Sequence, residues 1–127
     1  MRRLLIAAVL CAAASTAHAQ PARVALPGKP LILAGLAFTN PDCSPLGTVT
    51  IRVLEPPEHG RVSVSTAHFF PSYSASNVRA HCNLRRVQGT RAIYVAQRGY
   101  TGPDRVVLEA IAPTGGYARK LFRIEVK

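Results

Sequence analysis

Acidic residues are scarce in this chain, because six of its 127 residues are Asp or Glu. A calcium site uses several oxygen ligands, usually with carboxylates among them, and a glycosidase needs two carboxylates that face each other across a cleft. Glu55 and Glu58 are close in sequence, but the two prolines between them predict an exposed turn. The sequence therefore argues against a calcium site and against glycoside hydrolysis.

Other patterns of catalysis and metal binding are absent as well. The initiator is the one methionine, the cysteines show no C-x-x-C spacing, and neither a nucleophile elbow nor a glycine-rich nucleotide loop is present. His59, His68 and His81 lack the spacing typical of metal ligands, and His68 and His81 with Cys82 are the nearest approach to a soft site. We expect no catalytic residue, no metal and no cofactor, and thus a protein that is not an enzyme.

The beginning of the chain has the layout of a secretory signal peptide. Arg2 and Arg3 precede an uncharged, mostly aliphatic run over residues 4–14, and small residues then lead to a cleavage-type site after Ala19. A transmembrane anchor needs about 20 apolar residues, so this run is too short to be one. The sequence predicts a signal peptide over residues 1–19 and a periplasmic or secreted product without a transmembrane anchor.

The predicted mature chain, residues 20–127, is long enough for one domain with one core. Removal of Arg2 and Arg3 lowers Lys plus Arg from 16 to 14 against six acidic residues, which gives a net charge of +8. A protein this basic is drawn to anionic surfaces, which outside the cytoplasm include lipid headgroups, lipopolysaccharide, wall polymers and DNA. Thirteen of the sixteen basic residues are arginine, however, and a GC-rich coding sequence produces that bias without any ligand.

The mature chain keeps two of the three cysteines, Cys43 and Cys82, because Cys11 lies in the predicted signal peptide. In an oxidising compartment an even pair of cysteines predicts a disulfide. A redox or metal-binding pair is the alternative, and the spacing of the two residues gives it no support. We expect a structural disulfide between Cys43 and Cys82.

Alternation of apolar and polar residues predicts short strands separated by turns. The clearest case has Val49, Ile51 and Val53 on one face of a strand. Val62 and Val64 are likewise predicted to face the core. The predicted strands cover residues 31–38, 48–54, 61–65, 92–96, 106–110 and 117–126, the last with Phe122, Ile124 and Val126 inward.

Two stretches of the mature chain are less regular. Residues 20–30 contain three prolines and predict an extended entry segment, and residues 66–90 show no clear period, although Phe69 and Phe70 are expected to fill the core. No segment repeats its apolar residues with the helical period. Six or seven short strands with Gly/Pro turns about every ten residues predict an all-β, antiparallel sandwich of about seven strands.

Two motifs resemble the bacterial Ig-like or cadherin-like repeats of surface proteins. Residues 57–62, P-E-H-G-R-V, resemble the P-x-H-G-x-V start of such repeats, and residues 94–104, Y-V-A-Q-R-G-Y-T-G-P-D, resemble their Y-x-P-x-x-x-Y-x-G-x-D block. The resemblance covers residues 47–126. It implies an Ig-like Greek-key sandwich, here as a solitary domain with a disulfide.

The resemblance also implies roles for four turn residues, His59, Gly60, Gly102 and Asp104. All four are structural, and Asp104 is expected to accept hydrogen bonds from backbone N–H groups in the corner before a strand. The sequence departs from the family where Ala96 replaces the usual proline. The hairpin at residues 113–116 lacks the acidic residues of many repeats, so the resemblance does not extend to calcium binding.

One group of basic residues predicts a binding site. It surrounds Cys82, and its guanidinium groups suit phosphates or carboxylates. A solvated, arginine-rich loop is the alternative. The candidate anion-binding residues are Arg79, His81, Arg85, Arg86 and Arg91.

The sequence as a whole favours a non-catalytic binding or interaction module. The expected partner is an anionic envelope polymer or an acidic protein; specific nucleic-acid binding is not expected, because too few aromatic residues lie near the arginines. One alternative is a structural subunit of an envelope or surface assembly that docks by strand addition. Another is a small enzyme inhibitor that acts through residues 55–60. The oligomeric state is left open.

Overall fold

The computed structural model describes residues 20–127, so the predicted signal peptide lies outside the described residues. The described residues contain seven strands and one short 3₁₀ helix. The strands are β1 (Arg23–Ala25), β2 (Pro30–Leu36), β3 (Thr50–Glu55), β4 (Gly60–Phe69), β5 (Val87–Ala96), β6 (Gly102–Ile111) and β7 (Tyr117–Val126), and the 3₁₀ helix covers Ala80–Leu84.

The strands form two sheets, with the order β1-β7-β6-β3 in the first and β2-β5-β4 in the second. This confirms the prediction of an all-β protein with two sheets. Neighbouring strands are antiparallel except β1, which runs parallel to β7 and places Arg23 opposite Ile124 and Ala25 opposite Val126. The predicted antiparallel arrangement therefore holds for every pair of neighbouring strands except β1 and β7, because β1 runs along β7 in the same direction before the chain crosses to β2 in the second sheet.

The hydrophobic core lies between the two sheets. Alternate residues of each strand point inward, as expected for strands with one solvated face. Phe122, Ile124 and Val126 are buried, as their alternation predicts. The first sheet contributes Ala25, Ile51, Val106, Leu108, Phe122, Ile124 and Val126 to the core, and the second contributes Leu33, Ala92, Tyr94 and Ala96.

Several strand boundaries differ from the predictions. The supposed entry segment contains β1 and the start of β2, and β2 ends at Leu36 rather than at residue 38. The strands predicted over residues 61–65 and 92–96 are parts of two ten-residue strands, β4 and β5, which pair from Gly60 opposite Ala96 to Phe69 opposite Val87. The irregular segment therefore shrinks from residues 66–90 to residues 70–86.

Three side chains that were predicted to fill the core are not buried in it. Val64 is 39 % exposed, because β4 is the edge strand of its sheet and the other sheet covers it only in part. Phe70 is also exposed. The ring of Phe69 instead lies against Gly35 and Gly89, on the face of the second sheet that points away from the core.

Candidate functional site

The predicted disulfide is present and joins two loops at one end of the sandwich. Cys43 lies between β2 and β3, Cys82 lies in the 3₁₀ helix between β4 and β5, and their Cα atoms are 5.4 Å apart. We call residues 37–49 and 70–86 the linked loops. Because the disulfide ties two segments that are 39 residues apart, it removes much of the freedom that long loops otherwise have.

Hydrogen bonds hold the linked loops together around a buried threonine. The backbone N–H of Thr39 donates to the Tyr73 hydroxyl over 3.1 Å, and the Thr39 and Tyr73 hydroxyls are 3.0 Å apart. Asn83 accepts a hydrogen bond from the Tyr73 N–H and donates one to the Tyr73 carbonyl, both over 2.8 Å. The loops thus form a cross-linked surface with a fixed conformation.

A tight turn presents Cys43 to its partner. The Cys43 N–H donates to the Asn40 carbonyl, and Cys43 itself adopts a φ of 70°, which is uncommon for a residue other than glycine. Asp42 Oδ1 accepts hydrogen bonds from the Ser44 hydroxyl and N–H over 2.5 and 3.0 Å, and these bonds lower the pKa of the Asp42 carboxyl below its usual value. The proline and polar residues of this turn, rather than a strand, position the cysteine.

The five candidate anion-binding residues do not share one environment. Arg79 is half-buried and its Nε donates to the Thr39 carbonyl over 2.7 Å, so it holds the linked loops together. The guanidinium of Arg91 lies 5.5 Å from the centre of the Phe69 ring on the outer face of β5. The remaining three, His81, Arg85 and Arg86, have exposed side chains on the second loop.

Two exposed apolar side chains on the same loop escaped the sequence reasoning. Leu84, the last residue of the 3₁₀ helix, is 85 % exposed, and Val78 is 70 % exposed. The sequence feature that could have indicated this exposure is the position of Leu84 directly before Arg85 and Arg86 in an irregular segment. We define the linked-loop surface by its exposed residues, Val78, His81, Leu84, Arg85 and Arg86.

Two acidic side chains elsewhere in the described chain, Glu109 and Glu55, form ion pairs with arginines. Glu109 is buried between Arg52, at 2.6 Å, and Arg119, at 3.4 Å; the hydrogen bond from Arg52 is the main reason why its pKa is lowered. Glu55 pairs with Arg105. The exposed arginines of the linked-loop surface therefore add to a surface that is already basic.

One group of potential metal ligands occurs in the described residues. Single ligand atoms of Cys43, His81 and Cys82 all lie within 4.8 Å of one another. Both sulfur atoms belong to the disulfide, and metal coordination by cysteine requires the thiolate. The oxidised protein therefore offers only the His81 imidazole at this position.

The four predicted turn residues lie at the end of the sandwich opposite the linked loops, and they serve the fold. Asp104 accepts hydrogen bonds from the N–H groups of Glu58 and His59 over 3.0 and 3.1 Å, from the Tyr94 hydroxyl over 2.8 Å and from the Arg105 N–H over 2.9 Å. Burial alone would raise the pKa of Asp104, but these hydrogen bonds together hold that pKa below its usual value. The turn at residues 55–60 is thus fastened to β6.

The other turn residues pack around this carboxylate. The ring of His59 stacks on Tyr100 with a centroid distance of 3.8 Å, and Gly102, with a φ of 130°, begins β6. Gly60 lies so close to Tyr94 that a Cβ atom there would be 2.6 Å from Cε2 of the ring. These contacts give the four residues a structural part in the corner.

Within residues 20–127, no helix is both long enough and apolar enough to cross a membrane. Comparisons of the chain with protein-family models, with curated proteins and with solved structures gave no match.

Proposed function

We propose that this chain is a non-catalytic, extracytoplasmic binding module, and that the linked-loop surface binds an anionic component of the cell envelope, namely the headgroups of anionic lipids. The observation that carries the proposal is the 85 % exposure of Leu84 beside the exposed arginines Arg85 and Arg86 on a covalently fixed loop. Exposed apolar side chains next to basic ones are typical of proteins that lie at the interface of an anionic membrane.

The energetics of such a surface favour lipid over a wholly polar polymer. Full burial of a Leu side chain contributes about 1.5–3 kcal/mol, and each arginine near an anionic membrane contributes about 1 kcal/mol. A sugar or wall polymer would use the arginines but leave Leu84 in water. Because the disulfide and the Asn83–Tyr73 hydrogen bonds already order the loop, binding loses little conformational entropy.

The proposed fold of the module is an Ig-like Greek key. In such domains one sheet contains the second, fifth and fourth strands, and the other contains the third, sixth and seventh strands. The orders β2-β5-β4 and β7-β6-β3 correspond to that arrangement, whereas β1 lies beside β7 and not beside β2, where such domains place their first strand. The Asp104 corner lies where the family resemblance implies a structural aspartate, which adds support.

We further propose that residues 1–19 are removed as a signal peptide, so that the protein acts in the periplasm or outside the cell. The disulfide between Cys43 and Cys82 is compatible with this location, because disulfides persist in oxidising compartments. Mass determination of the protein exported by a bacterial host tests the proposal. A product that begins at Gln20 is expected, and retention of the first 19 residues would overturn it.

Co-sedimentation with vesicles tests the proposed function. The mature oxidised protein is mixed with phosphatidylglycerol vesicles, with phosphatidylcholine vesicles, and with a soluble acidic polymer such as polyglutamate. Binding to the anionic vesicles alone is expected, and it should weaken between about 50 and 300 mM salt because screening shortens the reach of the charges. Equal binding to polyglutamate would move the assignment to acidic proteins, and no binding to anionic vesicles would overturn it.

A substitution of Leu84 distinguishes insertion of this side chain into the membrane from attraction by charge alone. Leu84→Ser keeps every charge, and on the proposal it weakens binding to anionic vesicles by about tenfold or more, as expected from the loss of one buried Leu side chain. Leu46→Ser is the matched control, because Leu46 is an exposed leucine on the other linked loop and lies outside the defined surface. Equal effects of the two substitutions would contradict a specific role for Leu84.

A further inference from the structure

β4 is an edge strand of the described structure, and a side chain contacts it near His68, where the Arg86 guanidinium donates to the carbonyl. β4 pairs with β5 on one side through ten consecutive residues, from Gly60 to Phe69, without a register shift. No described strand pairs with the other side. An edge of this kind presents a row of unpaired backbone N–H and C=O groups, which is a template for a further strand.

The other edges of the two sheets are protected in ways that the middle of β4 is not. β2 has a register shift between Ile32 and Ala34, and the Arg23 guanidinium donates to the Ile32 and Leu33 carbonyls. β3 also has a register shift, close to its end at Glu55, and β1 has three residues. Bulges, short strands and covering side chains are the usual means by which proteins block added strands.

The middle of β4 carries none of these protective features. Ser63, Val64, Ser65 and Thr66 are all exposed, and neither a charged residue nor a proline occurs between Arg61 and His68. Val64 lies opposite buried Ala92 and points toward the core side, but it is 39 % exposed. The backbone and both faces of this stretch are therefore accessible.

Basic groups flank the uncharged middle. Arg61 lies near one end of β4, and the guanidinium of Arg86 donates to the His68 carbonyl near the other end over 3.1 Å. Two copies of the chain that paired through β4 in antiparallel fashion would bring Arg61 of each copy toward the His68–Arg86 end of the other. Like charges that lie opposite each other destabilise a strand pair, so the charges disfavour a second copy of this chain.

We propose that β4 is a docking edge for an extended segment of another protein, which adds to the second sheet as a strand. The segment that fits has an uncharged centre of β-branched or hydroxyl residues and an acidic residue toward each end. Main-chain hydrogen bonds to the β4 edge give the affinity, and the acidic ends facing Arg61 and Arg86 select the partner. This edge shares Arg86 with the linked-loop surface but none of its other residues, and a peptide can bind it without lipid.

Selection from a library of linear ten-residue peptides displayed on phage tests the proposal. Peptides that bind the mature protein are synthesised, and their affinities are measured by fluorescence anisotropy for the wild type and for Val64→Lys. An edge lysine blocks strand addition, so the affinity of the leading peptides should fall about tenfold or more. The added positive charge alone would strengthen the binding of acidic peptides, so a loss cannot be attributed to charge.

A matched control and a backbone readout complete the design. Thr114→Lys adds the same charge in the exposed hairpin before β7, and it should leave the affinity unchanged. Amide hydrogens of β4 should gain protection from exchange when peptide binds, and Thr66→Lys replaces Val64→Lys if the latter unfolds. Failure to select peptides, indifference of the selected peptides to both β4 lysines, or dimerisation of the free protein through β4 would overturn the proposal.

Discussion

The hydroxyl of Tyr94 donates a hydrogen bond to Oδ2 of Asp104 over 2.8 Å. Tyr94 belongs to β5 in the second sheet and Asp104 belongs to β6 in the first, so this bond connects the two sheets through the core. Burial, and then the neighbouring Asp104 carboxylate, raise the pKa of Tyr94 well above its usual value. The same carboxylate fastens the turn before β4 through Glu58 and His59. One buried pair therefore fixes both the sheet packing and the start of the docking edge.

Tyr94→Phe should destabilise the protein while the ring keeps its packing. The substitution removes one hydrogen bond to a charged group, which contributes about 1.5–3 kcal/mol. The free energy of unfolding from urea titration measures the effect. Tyr117→Phe, at an exposed tyrosine, is the control and should change stability little. Equal stability of the two variants would show that the Tyr94–Asp104 bond does not hold the sheets together.

Asp104 should make stability depend on acid pH. Because the pKa of Asp104 is lowered in the folded protein, its ionised form stabilises the fold above the unfolded-state pKa of about 3.9, and this contribution is lost as pH falls through the folded-state pKa. Asp104→Asn should therefore lower stability at neutral pH and flatten its decline in acid. Thermal unfolding between about pH 2 and 6 measures this decline. Glu58→Gln, in the adjacent turn, should keep the full decline. Asp42 and Glu109, whose pKa values are also lowered, should leave a smaller decline in Asp104→Asn. A decline as steep in Asp104→Asn as in the wild type would exclude Asp104 as a source.

Gly60 should not tolerate a side chain. A Cβ atom at this position would lie 2.6 Å from both the Tyr94 ring and the Val95 carbonyl, so Gly60→Ala must displace both groups or shift the β4 backbone. Overpacking of this kind destabilises a protein by about 1–3 kcal/mol. Gly116→Ala is the control, because nothing lies within 4 Å of a Cβ atom there. A melting temperature unchanged by Gly60→Ala would contradict the close approach of Tyr94.

The disulfide should stabilise the fold and keep the linked loops ordered. Replacing both Cys43 and Cys82 by serine should lower the free energy of unfolding by about 4 kcal/mol, the value expected for a closed loop of this length. The linked loops should then become sensitive to limited proteolysis before the strands do. Trypsin digestion followed by mass spectrometry locates the first cuts. First cuts within β6 or β7 would show that the disulfide does not order the loops.

The strands that have one clearly buried face were predictable from the sequence. Phe122, Ile124 and Val126 alternate with polar residues, and β7 occupies the predicted residues 117–126. The extents of β4 and β5 were not predictable from alternation. In β4, exposed Ser and Thr occupy much of the strand, so apolar and polar residues do not alternate. In β5, Gly89 has no side chain that could contribute to an alternating pattern, and the Phe69 ring occupies the space beside it. β1 escaped notice because three residues are too few to show a period.

The candidate site was predictable only in part. The cysteine pair followed from composition and compartment, and the basic residues followed from their density near Cys82. The different environments of these basic residues could not be predicted from the sequence. The Arg79 hydrogen bond to Thr39 joins residues that are 40 positions apart, and the contact of Arg91 with the Phe69 ring depends on strand register. The exposure of Leu84 was equally hidden, because an apolar residue in an irregular segment is usually expected to be buried.

Binding of two double variants to phosphatidylglycerol vesicles at low salt tests the central claim most directly. Arg85→Ser with Arg86→Ser removes two charges from the linked-loop surface, and Arg98→Ser with Arg123→Ser removes two exposed charges elsewhere. We predict that the first pair weakens binding by about tenfold or more, since each arginine at the membrane contributes about 1 kcal/mol, while the second pair changes it little. An equal loss in both pairs would contradict the claim, because net charge rather than the linked-loop surface would then govern binding.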